Sequence, residues 1–104
     1  MKFEINGYDW EIKECDAHSN MLKIGDKICR AICSWNTREI YLADNLRGYF
    51  KRRILMHELS HAFLYSTQLS IKEAYDDEEI CEFVGIYGVE LNEICCKYMS
   101  NKGE

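Results

Sequence analysis

The 104-residue chain has no proline, only three histidines, and no C-x-x-C pair among its six cysteines. Without paired cysteine spacing a zinc ribbon is not expected. No apolar run approaches the roughly 18 residues of a membrane-spanning helix, so no membrane partner is expected either. Met1 to Gly7 lacks the hydrophobic core of a secretion signal, which makes the cytoplasm the expected location. In that reducing setting Cys15, Cys29, Cys33, Cys81, Cys95 and Cys96 read as thiols, mostly small core residues. The net charge of −5 disfavours nucleic acid, whose phosphates need a basic face. There are no internal repeats and no linker, and the length fits a single domain over residues 1–104.

What is present reads as α+β. Phe3 to Lys13 alternates around Asn6-Gly7, the signal of a type I′ hairpin turn. Lys27 to Trp35 reads as a strand, Asn36-Thr37-Arg38 as a turn, and Glu39 to Leu42 as the returning strand. A helix follows over about Leu46–Ser66, capped by Asp44 or Asn45. Thr67 to Tyr75 is a connector, with Ser70 and Glu73 spaced as a capping box. Asp76 or Asp77 caps a last helix over about Glu78–Met99. Its apolar stripe is Ile80, Phe83, Val84, Tyr87, Leu91, Ile94 and Tyr98. The expected fold is a small antiparallel sheet of hairpins, then two long helices. Arg47, Lys51, Arg52 and Arg53 form a basic run that reads as solvated first turns of helix.

Within the first helix stands His57-Glu58-Leu59-Ser60-His61. Residues four apart stack on one helix face, so both imidazoles can reach a single ion. Zinc favours imidazole nitrogens at about 2.0–2.1 Å. Glu58 is one residue on, about 100° round the helix, where it can reach a water on the metal and act as general base. The competing reading is two packed core histidines in a zinc-free structural protein. Burying two rings and a carboxylate together is costly, which weighs against it.

A catalytic zinc site needs a third protein ligand. His18 is far upstream and reads as a solvated loop residue. The acidic start of the last helix is the better source. Glu79 lies about 40° from Phe83 and ranks first. Glu78 and Glu82, about 160° from Ile80, rank second and third. Glu79 also fits a capping box with Asp76, three residues earlier.

H-E-x-x-H on one helix and a glutamate on the next resembles the gluzincin metallopeptidases. The small size and the hairpin just before the motif resemble the ImmA/IrrE-type metallopeptidases, especially the short forms of phages and other mobile elements. Glu79 and Phe83 match the second motif of that family, while Cys81 stands where asparagine is usual. The likeness covers roughly Ile40 to Tyr87. It implies a minimal zincin-like fold and zinc-dependent hydrolysis of a protein or peptide substrate, for instance a repressor. Tyr65, Tyr75 and His18 are candidates to stabilise the oxyanion. The alternative is a zinc-containing module that binds proteins without turnover.

Overall fold

The computed structural model describes residues 1–68 and 75–101. Strands β1 (Lys2–Ile5) and β2 (Tyr8–Cys15) form the expected hairpin. Asn6 and Gly7 both carry positive φ, 50° and 84°, as a type I′ turn requires. After β2 the chain makes a 3-10 turn at Asn20–Leu22 and a two-residue-per-strand hairpin, β3 (Lys23–Ile24) with β4 (Lys27–Ile28). Then come β5 (Ala31–Ser34) and β6 (Glu39–Ala43), paired antiparallel. The expected strand over Lys27 to Trp35 is therefore two strands, interrupted at Cys29 and Arg30.

The main sheet has the order β1-β2-β6-β5, and β2 runs parallel to β6, with Ile12 opposite Ile40 and Glu14 opposite Leu42. The α+β architecture stands, but the sheet is mixed where an antiparallel one was expected. Burial explains the order. In β6, Ile40, Leu42 and Ala43 are buried, which suits a strand flanked on both sides. Every residue of β5 is only half-buried, which suits an edge.

Helix α1 (Gly48–Ser66) lays Leu55, Leu59, Ala62 and Phe63 into one core with Trp10, Ile12, Ile40 and Leu42. It begins two residues later than expected. Neither Asp44 nor Asn45 caps it; Arg47 is the N-cap residue and makes no side-chain cap bond. Gly48 takes φ 59°, a left-handed turn that brings the chain from β6 into the helix. The far end of α1 is pinned to the first hairpin. Trp10 Nε1 donates to Ser66 Oγ at 2.8 Å, and Asn6 Nδ2 donates to the Ser66 carbonyl at 3.0 Å.

Helix α2 (Asp77–Asn101) packs antiparallel on α1. Phe63 meets Tyr87 with ring centroids 5.6 Å apart, and Arg52 donates to Asn92 at 2.6 Å. Leu91, Cys95, Tyr98 and Met99 are buried. Ile80 and Val84, expected in the core, are 52% and 58% exposed. The apolar stripe is continuous, but α2 is 25 residues long against 19 for α1, and its first turns run past the end of its partner. Asp76 Oδ1 accepts from the Glu79 backbone N–H at 2.8 Å, so Asp76 is the cap. The pair Ser70 and Glu73 lies outside the described residues. No helix among the described residues is long and apolar enough to cross a membrane.

The basic run is not one solvated face. Arg47 donates to the carbonyls of Asp44 and Leu46, and Arg52 turns to α2. Lys51 is fully buried, with its ammonium 3.2 Å from Glu14 and over the Tyr98 ring. Tyr98 also donates to Glu14, so this triad joins β2, α1 and α2. Arg47 and Arg53 are exposed, Arg52 is half-buried and Lys51 is the departure. All six cysteines are free thiols, but Cys95 alone is fully buried.

Two outcomes follow for stability. Lys51→Met removes the cation facing a largely buried carboxylate, and urea unfolding should show a loss of about 3 kcal/mol. On the sheet surface, Lys13 and then Tyr41 hydrogen-bond Glu39 and hold its carboxyl below its ordinary value of 4.5. That stabilisation is present above pH 4.5 and is lost as pH falls through the lowered folded-state value. Lys13→Ala should flatten the acid limb of a stability-versus-pH curve.

Candidate metal centre

The middle of α1 carries the three residues singled out by the sequence. His57 Nε2 and His61 Nε2 are 3.2 Å apart, with the rings edge to face at 76°. The ligand-capable atoms of His57, Glu58 and His61 all lie within 4.8 Å of one another. Two nitrogens bound tetrahedrally at about 2.05 Å stand about 3.3 Å apart. The observed separation is therefore compatible with a shared ion. The same distance also serves a direct N–H···N bond between the imidazoles when one carries the proton.

The surroundings set the protonation states. Burial, then the nearby His57, pushes the His61 imidazole below its ordinary value, towards the neutral form that binds metals. Tyr65 stacks on His61 at 6.2 Å and 22°, and Trp35 packs on Tyr65 at 6.0 Å, so the His61 ring is backed by an aromatic column. Glu58 is 7% exposed, and burial raises its carboxyl above the ordinary value against the opposing pull of His57. A carboxylate raised in this way is a better proton acceptor near neutral pH. Burial, with the Glu58 charge adding to it, pushes the Cys33 thiol up to about 12, so Cys33 remains protonated beside the site.

His57 and Glu58 open onto a cleft of about 930 Å³, bounded by α1 and by the segment running from β4 into β5. His18 is an exposed turn residue, as its sequence context suggests, and lies at the wall of this cleft. Tyr65 lies behind His61. Tyr75 lines a separate apolar hollow with Leu64 and Phe83.

The α2 carboxylates do not join the histidines. Among the described residues the metal-capable group is His57, Glu58 and His61 alone. Glu79 and Glu82 line the Tyr75 hollow, and Glu78 is exposed. The reason lies in the faces of α1. Arg52 and Phe63, which meet α2, are roughly 120–180° round the helix from His57 and His61. The two-helix packing therefore carries the acidic start of α2 along the opposite side. The sequence ranking also took Ile80 as a core marker, and Ile80 is exposed.

Sequence reading did not bring out Lys27, Arg30 and Phe50 as cleft residues. Lys27 is brought there by β4, Arg30 by the break between β4 and β5, and Phe50 by the first turn of α1, and no local pattern announces that placement. Comparison with protein-family models, curated proteins and solved structures finds no match.

Proposed function

We propose that the chain is a zinc-dependent metallopeptidase of the ImmA/IrrE-like kind, hydrolysing peptide bonds in a protein substrate in the cytoplasm. The observation that carries this reading is the 3.2 Å spacing of the two imidazole nitrogens beside a buried carboxylate at an open cleft. His57 and His61 would hold the ion. A zinc ion bound there supplies Lewis acidity and lowers the pKa of its water towards about 7. Glu58 takes the proton from the attacking water and returns it to the leaving amine nitrogen. His18, on the cleft wall, is the best-situated of the three oxyanion candidates. The outer edge of β5 is unpaired within the four-stranded sheet, so an extended substrate can add as a strand beside His57. A regulator such as a repressor is the proposed kind of substrate.

The third ligand bears on a second reading. Glu79, or else Glu78 or Glu82, would have to come from the far side of α1. Among the described residues Glu58 is the one further ligand-capable group beside the two histidines, and if it fills the third position in place of acting as base, the site is that of a zinc-containing protein-binding module without turnover.

Metal analysis and peptide cleavage separate these readings. The peptidase reading expects one zinc per chain. His57→Ala and His61→Ala should each weaken zinc binding at least ~100-fold in chelator competition, since each removes a direct ligand. Glu58→Gln should keep its zinc and lose roughly a hundred- to ten-thousand-fold in turnover on a mixed peptide library. Zinc without cleavage by the wild type establishes the module, and zinc far below one per chain ends both readings. Among Glu78→Ala, Glu79→Ala and Glu82→Ala, the variant that loses zinc identifies the third ligand.

A further inference from the structure

The charge lining the cleft is opposite in sign to that of the whole chain. Acidic residues outnumber basic ones 18 to 13. Yet Lys27, Arg30, Arg53 and His18 all line the cleft, and Glu58, itself buried, is the one carboxylate in its wall among the described residues. These four residues come from β4, the β4–β5 junction, α1 and the loop after β2. Asp16, Asp26 and Asp44, close to them in sequence, stay out of the lining. Lys27, Arg30 and Arg53 make no ion pair among the described residues, whereas Lys13 and Lys51 are paired. The Arg30 guanidinium sits 5.4 Å above the Phe50 ring, a contact that limits its freedom. Concentrated like charges repel one another unless an anion lies between them.

We propose that this cleft selects peptides carrying aspartate or glutamate, with Arg30, Arg53 and Lys27 as the specificity-determining residues. The inference rests on the peptidase reading only in taking the occupant to be a peptide. Two features favour a peptide over a phosphate backbone. Ile28, Phe50, Ile54 and Met56 give the same wall an apolar part. Arg30 immediately precedes the free edge of β5, where an extended chain directs alternate side chains to one face, about 7 Å apart.

The test is binding rather than turnover. Fluorescent decapeptides differing only in Glu, Gln or Lys at alternate positions are titrated by anisotropy into zinc-loaded Glu58→Gln protein and into metal-free wild type. Exposed ion pairs each contribute roughly 1.4- to fivefold, so the Glu peptide should bind about tenfold more tightly than the Gln peptide at low salt. The preference should shrink as the screening length falls from about 30 Å at 0.01 M salt to about 8 Å at 0.15 M. Arg30→Glu with Arg53→Glu should abolish or reverse it, with an unchanged thermal midpoint as the check on folding. Equal affinity for Glu and Gln peptides overturns the proposal. So does a preference that survives both reversals, or tighter binding of a single-stranded oligonucleotide of matched charge. Charge-selective binding without cleavage by the wild type sinks the peptidase reading and leaves this one; cleavage without charge preference does the reverse.

Discussion

Helix α1 is fixed to the sheet at both ends by polar contacts made inside the protein, and its position decides the rest of the structure. Near its start, Lys51 reaches Glu14 on β2, and Tyr98 of α2 closes on the same carboxylate. At its end, Ser66 receives the Trp10 indole N–H and the Asn6 amide. A buried ammonium is costly without partners, so the first contact specifies an orientation of α1 as much as it stabilises it. Between these anchors Leu55, Leu59 and Ala62 lie at helical spacing against the β2 and β6 side chains.

With α1 held this way, its faces divide the work. One faces the sheet. The next, with Arg52 and Phe63, receives α2. The third carries His57, which looks into the cleft, and His61, which is backed by Tyr65 and Trp35. Glu58 lies at the border of the sheet face and the cleft face, which is why it is buried and still belongs to the site. Burial raises its carboxyl and lowers the His61 imidazole, so the same low-polarity setting prepares a base and a neutral donor together.

Local signals in the sequence were legible, and pairings between distant segments were not. Asn6-Gly7 specifies a hairpin by its backbone preference, and the structure has it there. The i, i+4 histidines meet because helix geometry alone makes them meet. The parallel pairing of β2 with β6 depends on which strand needs two neighbours, a property of the assembled core. Lys51 reads as a surface cation in any local window, since its partners are 37 residues earlier and on the last helix. Where Glu79 lies relative to the histidines cannot be read from its own helix, because it depends on which side of α1 receives α2. The charged cleft escaped notice because its cations are scattered along the chain.

The parallel strand pair also bears on the order of assembly. The first hairpin closes over two residues and forms from local contacts, but Ile12 and Ile40 are 28 positions apart and Tyr98 meets Glu14 across 84. Each such closure costs chain entropy before its contacts compensate. The histidine-bearing helix has no complete floor until β6 has inserted between β2 and β5. Its lysine anchor in turn waits for the C-terminal helix to deliver Tyr98. A nascent chain released only as far as the end of α1 would thus carry both imidazoles while lacking the Tyr98 contact to Glu14, which couples completion of the site's scaffold to the arrival of α2.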